Sequence, residues 1–419
     1  MSEQHKAQNR PPTTLNGITM ISQFVWVAAG RIAAALIQAL TFVLLARALA
    51  PEDFGMFSAV LGVATLAQTV FDLGISTYVV RERSRHRDSG FIAPALKVNN
   101  GLSLVLAAIT ASCLIVLALA GDSRFWEILP LAIWVASERN ADVWLGVILA
   151  DGDARVNTGN LVMRRASALA LFVGMWTAGM PPILAFSVAS AVSAVGSSIF
   201  AHSFVVRRLA PSVRISVREL LIQTWPYWMN SVATQARNLD VTVVTFFAGA
   251  HQAGFYAAAS RITGPLRILP TSLATVLLPQ ASRRNHSNLF GLVKLVVACL
   301  AGLALLYVAI AFAVPYFVPF ALGEAYKGAV PAIQIATSGL VFAAAASLLG
   351  ALLQGVGLKH FVAKTSLVMT IVCLVGCALG ASFSGAYGAA WALALAFVVQ
   401  AVLLLSRVTI FIARKEPNQ

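Results

Sequence analysis

Charge is scarce in this chain. Aspartate, glutamate, lysine and arginine supply 11% of its 419 residues, against roughly 25% in an average soluble domain. Acids are the scarcer sign, 16 against 30 basic residues, which leaves a net charge of +14. Cysteine is sparse too. Cys113, Cys299, Cys373 and Cys377 all lie within apolar runs, without the spacing of a metal site or a redox motif, and read as packing residues. The six histidines are scattered. None of the stretches between apolar segments is long enough to fold as a domain of its own. These shortages argue against a soluble protein, a zinc or thiol centre and a separate catalytic domain.

What fills the chain is apolar sequence. Hydrophobic residues make up 59% and the mean hydropathy is +0.81. A helix crosses the hydrocarbon core with about 20 mostly apolar residues. The pattern predicts an all-α polytopic membrane protein of about twelve spans, near 18–46, 53–80, 97–120, 126–150, 157–179, 183–206, 220–248, 252–280, 292–319, 329–356, 361–381 and 386–412. Ala48 and Ala50 imitate a cleavage site, but the run before them is too long for a signal peptide and contains Arg31. It reads as a retained first span.

A charge of +14 would point to nucleic acid in a soluble protein. Here the basic residues fall mostly between spans, and no nucleic-acid partner is expected. Odd-to-even links hold little more than Arg47, Arg124 and Lys327. Even-to-odd links hold Arg81, Arg83, Arg85 and Arg87, then Arg155, then Arg207, Arg208, Arg214 and Arg218, then Arg283, Arg284, Lys359 and Lys364. By the positive-inside rule both termini are cytoplasmic.

The chain also repeats itself. "APEDFGMFSAV" lies on "AHQAGFYAAAS" when Gly55 meets Gly254, 199 residues on, and "ILADGDAR" lies on "LLQGVGLK" when Arg155 meets Lys359, 204 residues on. Six spans per half give both halves the same orientation, related by a pseudo-twofold along the membrane normal. The expected organisation is a cytoplasmic tail (1–17), a six-helix lobe (18–206), a basic linker (207–219), a second six-helix lobe (220–412) and a cytoplasmic tail (413–419).

Ionisable residues at membrane depth cost about 2.5–3.5 kcal/mol on insertion scales and usually face a cavity or a partner. Arg31, Glu138, Arg139, Asp142, Arg164, Arg165, Arg237, Asp240, Arg261 and Arg267 lie at depth, with Asp72 nearer the inner end of its span. Spans nine, ten and twelve are almost free of charge. Polar stripes at helical spacing mark one face of four spans: Gln23, Arg31 and Gln38 on the first; Ser58, Gly62, Thr65, Thr69, Asp72 and Ser76 on the second; Asn230, Thr234 and Arg237 on the seventh; Gln252, Tyr256, Ser260, Thr263 and Arg267 on the eighth. Such stripes line a wet cavity or pack helices. Arginine outnumbers acid at depth, and its planar fork binds phosphate with paired hydrogen bonds. The candidate substrate site is therefore cationic: Arg31, Arg139, Arg237, Arg261 and Arg267. Arg139 with Asp142, and Arg237 with Asp240, also fit simple i, i+3 ion pairs. Asp72, Glu138, Asp142 and Asp240 are candidates for ion coupling or charge balance. No catalytic residue, metal site or cofactor is expected, beyond coupling to H+ or Na+.

"LLARALAPEDFGMFSAVLGVATLAQTVFDLGISTYVVRE", "RNLDVTVVTFFAGAHQAGFYAAASRI…LLPQASR" and "LLQGVGLKH" resemble bacterial polysaccharide-export flippases, the Wzx-like group of the multidrug/oligosaccharidyl-lipid/polysaccharide (MOP) exporter superfamily. The resemblance implies two six-span lobes around a cavity lined by spans one, two, seven and eight. It implies a bacterial inner-membrane protein that moves undecaprenyl-pyrophosphate-linked oligosaccharide between leaflets by alternating access. Membrane lipid, a polysaccharide polymerase and a chain-length regulator are the partners it brings with it. The lipid II flippases of that superfamily carry two further spans, which are not found here. The rival readings are a cation-coupled multidrug exporter of the same superfamily, and a membrane polymerase, ligase or glycosyltransferase acting on the same glycolipid.

Overall fold

The structure is a computed structural model and describes residues 17–209, 211, 217–282 and 289–413. No strand occurs among them. The first half contains α1 (Gly17–Ala48), α2 (Pro51–Asp72), α3 (Ile75–Arg85), α4 (Ile92–Leu119), α5 (Arg124–Ile128), α6 (Leu131–Ala150), α7 (Ala154–Thr177) and α8 (Pro182–Val206). The second contains α9 (Val217–Gln235), α10 (Asp240–Leu266), α11 (Ile268–Ser282), α12 (Leu289–Leu322), α13 (Val330–Gly355) and α14 (Lys359–Ala413). Most of the expected tails and part of the 207–219 linker lie outside the described residues.

The twelve expected spans are all helical, with four interruptions, the mildest the turn at Leu129–Pro130 between α5 and α6. Two turns between spans shrink to single kinks, at Gly249 inside α10 and at Ser384–Gly385 inside α14. Seven helical stretches are long and apolar enough to cross a membrane by length and composition alone. Both α6 and α7 fall outside that set. Glu138, Arg139 and Asp142 crowd into the 20 residues of α6, and Arg164 and Arg165 sit side by side on α7.

Of the interruptions, the sequence points to the one in the eighth span, where Pro265 and Pro270 favour a kink. The second span is cut between α2 and α3, where Leu73 (φ 50°) and Gly74 (φ 76°) turn left-handed. Glycine suits this position twice over: it tolerates positive φ, and a Cβ there would press on the backbone of Thr224 and Trp228 in α9. The carbonyls freed at the end of α2 find donors. Trp228 Nε1 reaches Val70 O at 2.8 Å and Arg139 Nη2 reaches Phe71 O at 2.8 Å. The seventh span is cut by a 3-10 turn, Ala236–Leu239. The eighth is cut at Arg267, between Pro265 and Pro270, where proline withholds backbone donors.

Apolar packing divides the molecule along its length. At the end away from the basic links, one core runs through both lobes, with Phe42, Phe54, Phe57 and Phe186 on one side and Tyr256, Tyr326, Ala386 and Ala390 on the other. The repeat-matched glycines meet there. A Cβ on Gly55 would collide with the backbone of Ala250 and Gly254, and one on Gly254 with the backbone of Pro51. Arg47 Nη1 donates to Phe320 O at 3.0 Å across the same seam. Toward the basic end the core separates. One cluster holds Ile75, Ile92, Trp144 and Val205, and another holds Leu277, Leu292, Leu352 and Leu404. One core thus spans both lobes at one end, while at the other the packing splits into two clusters, the first of which also takes in Leu220 of α9.

One basic-end arginine does more than orient the chain. Arg83 is only 3% exposed. It holds Asp151 at 2.6 Å and donates to Arg208 O at 3.1 Å, locking α3 to the ends of α6 and α8.

Candidate functional site

In the first lobe the deep charges neutralise one another. Glu138 of α6 accepts from Arg165 of α7 at 2.5 and 3.2 Å. Asp142, one turn on, accepts from Arg164 at 2.8 Å. Arg139, between them, points the other way. Its guanidinium donates to Asn99 O (3.1 Å), Ser103 Oγ (2.6 Å) and Phe71 O (2.8 Å), tying α6 to α4 and to the cut end of α2. The i, i+3 pair of Arg139 with Asp142 does not form, because each has a better-placed partner on another helix. Arg139 is 4% exposed and both its Nη groups are engaged as a strut, while its Nε is buried without a partner among the described residues. Its Nη groups are taken, so the geometry does not support it as a substrate contact.

A cavity of about 410 Å³ lies beside this cluster, lined by Gln68, Thr69, Asp72, Arg139, Asp142, Ser231 and Gln235. Asp72 accepts from Ser76 Oγ at 2.8 Å across the α2–α3 break. Farther along the α2 stripe, Thr65 and Thr69 bond back to their own helix at Gly62 O and Thr65 O. The expected wet stripe on the second span is thus wet only near Asp72.

The second lobe differs. Arg237 sits in the 3-10 turn, and the turn carries it away from Asp240. The expected Arg237–Asp240 pair is absent among the described residues. Asp240 is instead the first residue of α10 and satisfies itself locally, accepting from Val241 N at 2.7 Å and from the Tyr256 hydroxyl at 3.1 Å. Arg237 donates to Thr370 Oγ1 at 3.2 Å. Its guanidinium lies 5.5 Å from the Phe397 ring centroid, and that of Arg267 lies 5.3 Å from the same centroid. One aromatic ring thus holds two arginines through its quadrupole. Both line a chamber of about 780 Å³ with Lys364, Gln235, Asn238, Thr370 and Gln400, and no carboxylate lines it. Arg261 is farther in, 4.7 Å from the Phe42 ring, with its Nε buried and without a partner. Arg31 is exposed on α1 and lines none of these cavities. Of the five arginines expected to bind substrate, the structure gathers two, Arg237 and Arg267, into one chamber.

The chamber also uses residues that sequence reading passed over. Ser366 and Thr370 come from the eleventh span and Phe397 and Gln400 from the twelfth, both in α14, and Gln354 from the tenth, in α13; the tenth and twelfth are among the nearly charge-free spans. The signal was neutral: Ser366 and Thr370 are one turn apart, and Gln400 is the sole polar residue between Trp391 and Ser406. The eighth-span stripe splits like the second. Gln252 accepts from Ala386 N and Tyr256 serves Asp240, while Arg267 alone reaches the chamber. The side chains of Gln23, Asn230 and Thr234 lie outside the described residues.

Residues 21–135 and 158–331 each match a family described as polysaccharide biosynthesis protein. A Shigella flexneri protein assigned as an O-antigen transporter is 23% identical over 63% of this chain and 67% of its own length. Both halves of the chain thus carry a segment that matches polysaccharide-biosynthesis proteins, in line with the resemblance read from the sequence. Solved structures share this fold. A multidrug resistance MATE family transporter in its inward-facing conformation aligns at TM-score 0.71, with 16% identity, over 92% of this chain and 96% of its own. The lipid II flippase MurJ, inward closed, aligns at 0.70 with 13% identity over 92% and 87%. A MOP transporter from Pyrococcus furiosus, described as having a binding pocket of reverse polarity, aligns at 0.65 with 16% identity over 93% and 95%. The chain is thus an all-α, multi-pass membrane protein of two six-span lobes.

Proposed function

We propose that this protein is a flippase for undecaprenyl-pyrophosphate-linked oligosaccharide, working in the bacterial inner membrane with both termini in the cytoplasm. The observation that carries this reading is the chamber in the second lobe, where Arg237, Arg267 and Lys364 face one space without a carboxylate. Guanidinium forks match phosphate oxygens, and an ion pair inside a low-dielectric wall is far stronger than one in water. Part of the chamber's lining, Gln354, Val362 and Lys364, flanks the basic link after the tenth span, on the side where such a lipid would be made. The matches to polysaccharide-biosynthesis proteins support the sugar-bearing cargo. The chamber's sign disfavours a cationic drug as cargo, and the short links disfavour a polymerase or ligase.

In this reading the pyrophosphate enters between Arg237 and Arg267, the sugars follow into the wet space, and the prenyl tail stays in lipid. The seam at Gly55 and Gly254 opens as the chamber closes. Coupling to H+ or Na+ belongs to the same proposal. Glu138 and Asp142 are held by arginines, so Asp72 and Asp240 are the carboxyls available for it.

The test replaces Arg237 and Arg267 singly by alanine and measures surface polysaccharide at equal protein level. Each variant is expected to lose export, with the lipid-linked precursor accumulating on the cytoplasmic side. Normal export in both would refute the head-group site.

A further inference from the structure

The arginine chamber has a back room. Beyond Phe397 a second compartment of about 370 Å³ continues between α11, α13 and α14. It shares Arg237, Arg267, Gln354, Ser366 and Gln400 with the chamber, so the two are one continuous space. Among the described residues the two arginines are the only charges lining it. Its walls are small residues, among them Ala343, Ala346 and Gly350, and its polar groups are neutral. Its volume falls within the roughly 300–1,000 Å³ typical of small-molecule sites.

Gln400 is the group that demands an explanation. It is 9% exposed and is the sole polar residue between Trp391 and Ser406 of α14. A primary amide offers two donors and two lone pairs, and leaving them unmet in an apolar setting is costly. Among the described residues Gln400 makes one hydrogen bond, a long one of 3.3 Å to Ser366 Oγ. Gln354 stands opposite on α13, exposed to the same space. Two amides and a hydroxyl, converging without charge behind two guanidiniums, suit a polyol attached directly to an anion. An acyl or prenyl chain would leave the amides unmet, and a second phosphate would find no cation.

We infer that this compartment is a subsite for the first sugar, the one bonded to the pyrophosphate, with Gln354 and Gln400 as the side chains that read its hydroxyl pattern. The inference rests on the proposed phosphate site at Arg237 and Arg267. It assigns selectivity to Gln354 and Gln400, in the tenth and twelfth spans, which carry almost no charge. A site built to hydrogen-bond a hydroxyl strongly rejects the analogue that lacks or misplaces it. Gly350 bounds the space gently: a Cβ there would make only ordinary contact with Val362, at 3.5 Å.

The experiment measures binding to the purified full-length protein in lipid nanodiscs. The probes are undecaprenyl pyrophosphate without sugar and the same lipid carrying glucose, galactose, N-acetylglucosamine or N-acetylgalactosamine. The expected wild-type result is a preference of about tenfold or more for one glycolipid over the bare pyrophosphate, the span of one or two good hydrogen bonds. Gln400→Leu and Gln354→Leu should each erase most of that preference, lowering glycolipid binding by a larger factor than bare pyrophosphate binding. Gln354 is exposed, so its variant tests the idea even if Gln400→Leu folds poorly. Arg267→Ala should weaken all five probes together. Equal binding of bare and glycosylated lipid by the wild type would overturn the sugar subsite and leave the phosphate site standing. Equal losses for all probes in both glutamine variants would also overturn it, by making the amides part of the phosphate site. Failure of the wild type to bind any pyrophosphate would remove the phosphate site and this inference with it.

Discussion

The two lobes answer the same difficulty in opposite ways. Each buries arginines at membrane depth. In the first lobe every one of them has a protein acceptor: Arg164 and Arg165 hold Asp142 and Glu138, and Arg139 holds Phe71 O, Asn99 O and Ser103. In the second lobe Arg237 and Arg267 flank Phe397, and Asp240 is occupied by Val241 and Tyr256. Charges of the first kind are part of the scaffold. Those of the second kind are available to a ligand. Depth in the membrane therefore does not separate binding charges from structural ones; the partner does.

The largest effect that would test this contrast is on Glu138. Removing one partner of a buried pair leaves the other charged and unpaired, at a cost of about 3–5 kcal/mol. Glu138→Ala should strand Arg165 and weaken the hold on Arg164, which lies 4.0 Å from the same carboxylate. The expected outcome is little folded protein by size-exclusion fluorescence and a lowered Tm. The double change Glu138→Leu with Arg165→Leu should recover most of the loss, since apolar replacement of a whole buried pair is often neutral or better. A Glu138→Ala protein with wild-type Tm would show that the first-lobe pairs are not structural.

Arg139→Met comes next. It removes the donors to Phe71 O, Asn99 O and Ser103, and unmet buried groups of this kind cost about 1–3 kcal/mol. The loss should appear in Tm, with export falling only in proportion to folded protein. Export lost at unchanged Tm would return Arg139 to the binding site. Arg267→Met predicts the reverse in the second lobe. No carboxylate is stranded, so stability should change by less than about 1 kcal/mol, as methionine fills a similar volume. Export should nonetheless collapse. A large fall in Tm would mean that Arg267 is a strut like Arg139.

How far the sequence carried follows from these particulars. Hydropathy located the twelve spans, because lipid forces every backbone group into a helix. The match of Gly55 with Gly254 revealed the repeat, and the fold brings these two residues together at the lobe seam. Partners were harder. An i, i+3 rule assumes one unbroken helix, and Arg237 lies in a 3-10 turn that no local signal announced. Arg139 faced three acceptors on other helices, a tertiary fact invisible in its own segment. Thr370, Phe397 and Gln400 were overlooked because attention followed charge, whereas the second-lobe chamber takes half its lining from neutral residues.

The smallest predicted effect lies at the end opposite the basic links, where charge is exposed and the lobe contrast should vanish. There Arg124 reaches Asp122 at 2.9 Å, Asp53 at 2.9 Å and Glu52 at 3.4 Å, tying the start of α2 to the α4–α5 turn. The hydrogen bonds from Arg124 hold the Asp122 carboxyl below the usual carboxylate range. A group whose folded pKa is depressed contributes stability above its unfolded pKa and loses that contribution as pH falls through the folded value. The contribution is therefore complete at neutral pH and fades below about pH 4. Since these side chains are about one-third exposed or more, water screens them and the whole is worth about 0.2–1 kcal/mol. Arg124→Gln should lower Tm slightly at pH 7, and the gap to wild type should close on acidification toward pH 3. High salt should shrink it at either pH, as it does for exposed pairs. A gap of several kcal/mol that resists salt would place Arg124 with the buried pairs of the first lobe, and exposure would then have failed, as depth did, to tell scaffold charges from the rest.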